Sequence, residues 1–496
     1  MAYNPIKKLA GDTLIYGLGT IVPRLLNYLL VPFYTIWVFD KAQYGEITEL
    51  YAYVALLMVL LTYGMETSFF RYANQYKNDV KAVFNTASSS LLVTSLLFVV
   101  LILAFRDSVA GWIHYSGHSQ FIVYIALIVA LDAFSSLPFA YLRYENKSRR
   151  FSQLKILNVI INIGFNLVLL ILIPRMLPGQ YQHFWLYRHV PMVGMVFLSN
   201  LIASASTLLL LIPELKQFRF SIHKELLKKL LSYGWPILII GLAGMINEVS
   251  DKILLRYFLP PGSHVQSIIG VYGANYKLAI LMMLFIQMFR YAAEPFFFAE
   301  SEKENSKTTY SRVMTVFVGA TWMIFLLVML FMDAFKYFIG PAFWVGLQIV
   351  PIVLMAKLFL GVFYNLSVWY KLTDKTLYGG AVAVLGAVIT ITLNVILIPK
   401  YGYVGSAWAN FACYFTMMVV SFLWGRKIFP VHYQWKKVLL FSVTALLFYF
   451  ISIYLKSFST EIRLLGGAVL MLTYIGVVWL GVKNEIRPPK ASPSVS

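Results

Sequence analysis

The sequence predicts an all-α integral membrane protein of 14 transmembrane helices, arranged as two pseudo-symmetric six-helix lobes plus a C-terminal helix pair. Three observations carry that expectation. Of 496 residues, 60% are hydrophobic and only 12% are charged, a balance that would leave a water-soluble chain with more apolar surface than it can hide. Apolar stretches of about 20 residues, the length of helix that crosses hydrocarbon, recur fourteen times. Lys and Arg gather on alternate connections, as they do on the cytoplasmic side of membrane proteins.

Spans 1 to 6 fall near residues 12–36, 47–69, 82–104, 121–142, 153–173 and 190–212, giving an N-terminal lobe over residues 1–212. Residues 213–233 join the halves, and Pro213 to Ser232 are expected as a cytoplasmic amphipathic surface helix. Spans 7 to 12, near 234–257, 266–289, 312–332, 345–369, 377–398 and 403–424, make the C-terminal lobe over 234–424. Residues 425–496 hold spans 13 and 14, near 437–455 and 464–482, and a cytoplasmic tail. The first apolar segment follows Lys7 and Lys8 but is too long and too interrupted for a signal-peptide core, so it is expected to stay attached.

Several spans carry a polar face. On span 1, Thr20, Arg24, Asn27, Val31 and Thr35 follow 4, 3, 4, 4 spacing, which puts four polar side chains on one helical stripe. Asn158, Asn162 and Asn166 in span 5, Asn200, Ser204 and Thr207 in span 6, and Thr390 and Asn394 in span 11 do the same. A wet cavity and interhelical hydrogen bonding explain such faces equally well. Pro23, Pro32, Pro236 and Pro351 are candidate bending points. Trp37, Trp112, Trp185 and Trp435 near span ends read as interfacial anchors, and the single cysteine, Cys413, as a small packed hydrophobe.

The formal net charge is +20. With the N-terminus in the cytoplasm, 28 of 41 Lys and Arg lie on that side, among them Arg71, Lys77, Lys81, Arg143, Lys147, Arg149, Arg150 and Lys155. Nine lie opposite: Lys41, Arg106, Arg175, Arg188, Arg256, Lys336, Lys400, Lys456 and Arg463. The bias places both termini in the cytoplasm and makes the charge topogenic rather than a nucleic-acid footprint. The longest opposite loop, 174–189, leaves no room for an extramembrane domain. P-loop, HExxH and GxSxG motifs are absent, and His114, His118, His183, His189, His223, His264 and His432 lie in or beside loops without ligand spacing. No enzyme activity, metal or organic cofactor is therefore expected.

The halves echo each other weakly. Tyr44-Gly45 with Tyr51 matches Ile269-Gly270 with Tyr276 at a constant offset of 225, Tyr16-Gly17 matches Tyr233-Gly234, and Val193-Gly194 with Asn200 matches Val404-Gly405 with Asn410. Both halves begin on the cytoplasmic side, so the repeat is parallel, a design that puts a site between two lobes.

Four cations remain inside spans: Arg24, Lys252, Lys277 and Lys357. Each costs about 2.5 to 3.5 kcal/mol at a helix centre and needs water, a partner or a ligand. Lys252 has Glu248 four residues before it, which allows local ion pairing, and Arg256 four after, with Asn247 and Asp251 on the neighbouring stripe. Arg24, Lys277 and Lys357 have no acid at i±3 or i±4. Interior cations of one sign favour an anionic ligand, and pairing across helices with Asp132, Glu248 or Asp251 is the competing explanation.

The sequence resembles the multidrug/oligosaccharidyl-lipid/polysaccharide exporter superfamily, and within it the bacterial polysaccharide-biosynthesis flippases. The likeness rests on FDKAQYGEITEL after span 1, YGWPILIIGLAGMINEVSDKILLRYFL in span 7, IIGVYGANYKLAILMMLF opening span 8 and LNVILIPKYGYVGSAWAN between spans 11 and 12, in that order. It implies a central cationic cavity and alternating access for an undecaprenyl-diphosphate-linked oligosaccharide in the bacterial cytoplasmic membrane. It further implies that Arg24, Lys252 and Lys277 hold the pyrophosphate, with Arg256 and Lys357 as further candidates and Asn27, Asn158, Asn162 and Asn166 as polar lining. Asp132, Glu248 and Asp251 are candidates for proton or sodium coupling. Polysaccharide polymerase and glycosyltransferases are the expected neighbours in the cell. Two relatives in the same superfamily remain as alternatives: a cation-coupled multidrug exporter, and a peptidoglycan-precursor flippase, some of which carry more than one cation on span 1.

Overall fold

The computed structural model describes residues 19–455 and 457–486. Lys7, Lys8, the first residues of the predicted span 1, Lys456 and the chain after residue 486 lie outside the described residues. Among those described there is no strand, and thirteen helices are long and apolar enough to cross a membrane. One of them, Thr376–Ile428, runs 53 residues and turns at Gly402, which adopts φ 56° and ψ −140°, a conformation that costs glycine nothing and other residues a great deal. Its two arms are spans 11 and 12, and with that division the fourteen expected spans are present.

Spans 1 to 6 are Gly19–Val38, Lys41–Gln75, Lys77–Trp112, Ser119–Tyr144, Ser148–Met176 and Met192–Leu210. Span 2 starts on a capping box, in which the Asp40 carboxylate accepts from the Gln43 amide at 2.8 Å and the Gln43 side chain accepts from the Asp40 amide at 3.3 Å. It breaks at Tyr63 and Gly64, both in the left-handed region, into Lys41–Thr62 and Met65–Gln75. Span 7 is Lys224–Phe258, and Pro236 sits inside that continuous helix. Span 8, Val265–Glu300, tightens into a 3-10 turn at Lys277–Ala279. Spans 9, 10, 13 and 14 are Ser306–Leu330, Pro341–Leu372, Trp435–Leu455 and Thr460–Ile486. Pro351 occupies the first turn of the α-helical part of span 10, where its missing N–H removes no hydrogen bond.

The surface helix expected over Pro213 to Ser232 does not form. One turn, Ile212–Leu215, gives way to an extended stretch, and residues 224–232 are the opening turns of span 7. The extended backbone is satisfied by side chains on span 3: Arg219 N–H donates to Asn85 Oδ1 and Ser221 N–H to Ser89 Oγ, each at 3.0 Å. Those bonds replace what a helix would have supplied internally.

By contacts the chain divides into two units, Met1–Gly273 and Ala274–Ser496. In the first, span 4 packs on spans 2, 3 and 6, span 5 on span 6, and span 7 on span 2. In the second, span 10 packs on spans 11 and 12, while spans 13 and 14 pack on each other and on span 9. Trp322 Nε1 donates to Ser442 Oγ at 2.9 Å, and Ser311 Oγ to the His432 carbonyl at 2.7 Å, tying span 9 to span 13 and to the chain before it.

Candidate functional site

Arg24 and Asn27 are exposed, whereas Val31 and Thr35, further along the same stripe of span 1, are buried. The Thr35 hydroxyl donates to the Val31 carbonyl at 2.9 Å. The stripe is thus open in its first half and packed in its second. Among the described residues Arg24 has no ion pair, and one turn on, Tyr28 lies within electrostatic reach of both Glu248 and Arg24.

Lys252 pairs with its immediate neighbour in the chain. Its Nζ donates to Asp251 Oδ1 at 2.7 Å and to the Glu248 carbonyl at 3.2 Å, while Tyr272 of span 8 donates its hydroxyl to Asp251 Oδ2 at 2.6 Å. Adjacent helical residues do not face each other, and the flexible lysine stem closes the gap. Asp251 and Lys252 are both buried.

Arg256 is held by an acid that spacing along span 7 does not reveal. Its guanidinium forks onto Glu49 of span 2, with Nη2 at 2.6 Å and Nε at 3.0 Å. Tyr115 donates to the same carboxylate at 2.8 Å, and Gln266 Nε2 donates to the Tyr115 hydroxyl at 3.2 Å. Glu49 has no exposed surface. The one available signal was a carboxylate within the expected span 2, which demands a cation somewhere. Beside this cluster the helices cross at glycine: a Cβ on Gly45 would stand 1.9 Å from the Gln266 carbonyl oxygen, and one on Gly270 would stand 1.9 Å from that of Lys41. The two glycines that match in the internal repeat therefore face each other.

Span 5 begins earlier than its hydropathy suggests, so Lys155, expected in a cytoplasmic loop, lies two turns inside the helix. It stands 4.0 Å from the Phe139 ring centroid and within electrostatic reach of Asp132, which neighbours Ser204 and Tyr51. Asn158 and Asn166 are engaged between helices: Asn158 Nδ2 donates to Thr207 Oγ1 at 2.8 Å, and Tyr34 donates its hydroxyl to Asn166 Oδ1 at 2.7 Å. Asn162 accepts from Asn166 at its carbonyl and its side-chain oxygen. Asn200 donates to the Tyr51 hydroxyl at 3.2 Å.

In the second unit Lys277 is half-buried in the 3-10 turn of span 8. Lys357 has no exposed surface, and its ammonium lies 4.8 Å from the Tyr276 ring centroid and 5.0 Å from that of Tyr414. Aromatic faces stabilise a desolvated cation. Asn394 donates to the Thr390 carbonyl at 2.7 Å and accepts from Ser406 at 2.6 Å, the same use of the amide that Asn166 makes. Span 8 also runs past its expected end, bringing Arg290 over the Tyr364 ring at 4.1 Å and Glu294 into an ion pair with Lys371.

The repeat offset gives these charges a common frame. Asp132 and Lys357 are 225 residues apart, as are Tyr51 and Tyr276, and Ser204 and Tyr414 are 210 apart, the offset of Asn200 and Asn410. One unit thus places an acid, with a tyrosine and a serine near it, at the position where the other places a base between two tyrosines. No three His, Cys, Asp or Glu side chains among the described residues converge to hold a metal ion.

The family model described as polysaccharide biosynthesis protein matches residues 9–301. The chain belongs to the polysaccharide biosynthesis protein family. A search of curated protein sequences gives no match to this family member. Among solved structures, the lipid II flippase MurJ in an inward closed conformation aligns with a TM-score of 0.72 at 15% identity, over 96% of this chain and 100% of that one. An inward-facing multidrug resistance MATE family transporter of the MOP superfamily gives 0.61 at 15% identity, over 86% and 98%. At these identities the likeness is one of fold.

Proposed function

We propose that this polysaccharide biosynthesis protein carries an undecaprenyl-diphosphate-linked oligosaccharide from the cytoplasmic to the outer leaflet of the bacterial cytoplasmic membrane by alternating access. Arg24 binds the diphosphate, Lys277 and Lys357 are further candidates, and both termini lie in the cytoplasm. The observation that carries this is the exposed guanidinium of Arg24 on a membrane-spanning helix, with no ion pair among the described residues. A diphosphate and its sugars cannot cross hydrocarbon unaided, and interior cations offset that cost while the polyprenyl tail stays in lipid. No bond chemistry is needed. Lys252 and Arg256 are neutralised by Asp251 and Glu49 and serve chiefly to join helices. Asp132, beside Lys155, is the leading candidate for proton or sodium coupling, with Glu248 and Asp251 next. Polysaccharide polymerase and glycosyltransferases supply and consume the cargo.

Reconstitution in liposomes tests this. A labelled lipid-diphosphate oligosaccharide is expected to reach the opposite leaflet with its glycan unaltered, and a change in glycan length or linkage would contradict transport. The half-buried Asp132 favours one competing function, a cation-coupled multidrug exporter, for which proton- or sodium-driven efflux of organic cations is the expected result. Transport of a lipid-linked peptidoglycan precursor in preference to a polysaccharide precursor would favour the other.

A further inference from the structure

A charged cavity lies in the Ala274–Ser496 unit. It has a volume of about 450 Å³ and is lined by Asp333 and Lys336 after span 9, Gln348 at the start of span 10, Ser452 on span 13 and Arg463 on span 14. Asp333 is shared: Lys336 Nζ lies 2.9 Å from its Oδ1, and Arg463 Nη2 lies 3.2 Å from its Oδ2. Two cations against one carboxylate leave one positive charge over. The Arg463 Nη2 also donates to Thr460 Oγ1 at 2.8 Å, but its Nε is buried with no hydrogen-bond partner among the described residues. A buried donor of that kind calls for an acceptor.

The surroundings say what kind. Lys336 Nζ sits 5.6 Å from the Tyr337 ring centroid and 5.0 Å from that of Trp344, and Tyr337, Tyr454 and Phe458 are exposed nearby in sequence. Such an aromatic collection marks headgroup depth. From Arg463 onward, Leu465, Val469 and Leu472 present an exposed apolar face along span 14. An anionic cavity ligand with apolar chains suits a site that is cationic at one end and continues into a lipid-facing helix.

We propose that this cavity holds the phosphodiester of a bilayer phospholipid, with the acyl chains along span 14, and that the lipid completes the attachment of spans 13 and 14 to span 9. The phosphate accepts from Arg463 Nε and from Lys336, and its single negative charge matches the charge left over.

The test is native mass spectrometry of the full chain, purified in mild detergent and then given phosphatidylglycerol, diacylglycerol, inorganic phosphate or a prenyl diphosphate. One phosphatidylglycerol is expected to be retained, with Arg463→Gln and Lys336→Gln each binding about tenfold more weakly, the effect of losing one charge-assisted hydrogen bond. Asp333→Asn is expected to bind at least as tightly, because it frees both cations, whereas a purely structural ion-pair cluster would be weakened by it. Should Arg463→Gln fail to fold, the Lys336 and Asp333 variants still give opposite expectations. Equal retention of diacylglycerol, equal competition by inorganic phosphate, or unchanged binding by the Lys336 and Arg463 variants would overturn the proposal. Displacement of the phospholipid by prenyl diphosphate would assign the cavity to the transported substrate instead, and would also overturn it.

Discussion

Arg256→Leu is expected to destabilise the protein by about 3 to 5 kcal/mol, the cost of stranding a buried carboxylate without its counter-charge. Glu49 is fully buried, and Arg256 supplies a fork of contacts at 2.6 and 3.0 Å, leaving Tyr115 as its remaining donor when the guanidinium is removed. The double variant Glu49→Leu/Arg256→Leu is expected to recover most of the loss, since replacing both charges with apolar groups is often neutral. Thermal and chemical unfolding in detergent measures both. Equal instability of single and double variants would show that Arg256 is needed for something other than Glu49. Retained transport in the double variant would separate this pair from diphosphate binding.

The second large effect is expected at the glycine crossing of spans 2 and 8. A methyl group at Gly45 or Gly270 would meet a backbone carbonyl oxygen at 1.9 Å, and backbone cannot rotate aside as a side chain does. Gly45→Leu is therefore expected to exceed the usual overpacking penalty of about 1 to 3 kcal/mol, or to relieve it by parting the two helices. Parting is readable by thiol labelling, because the native Cys413 is buried and contributes little background. A cysteine at Thr48, whose side chain fills the space beside Gly273, is expected to label slowly in the parent and much faster with Gly45→Leu. Unchanged labelling and stability would contradict the close contact.

The number of spans was legible because hydrocarbon imposes a single length on every crossing helix, and runs of about 20 apolar residues have no other common use. Where one helix ends and another begins was less so: Thr376–Ile428 is continuous except at Gly402, and span 8 runs to Glu300 because its last turns are amphipathic rather than apolar. Interior cations could be found by elimination, but their partners could not. Periodicity compares residues three and four apart, whereas Arg256 is held by Glu49 from 207 residues away and Lys252 by an immediate neighbour. Lys155 was hidden because a helix starting at Ser148 carries it inward past Arg150. Asparagine stripes marked polar helix faces without disclosing whether water or a second helix satisfied them. At Asn158 and Asn166 it is a second helix.

Arg24 offers the most direct test, because its side chain is exposed and has no ion pair among the described residues, so replacing it leaves the packing intact. The measurement is binding of a short-chain prenyl diphosphate to the purified protein and to Arg24→Gln, alongside leaflet-to-leaflet transfer of the full lipid-linked oligosaccharide. A loss of about tenfold or more in affinity, with unchanged thermal stability and slowed transfer, is the predicted result. Affinity and transfer equal to the parent's would contradict the assignment of interior cations to the diphosphate.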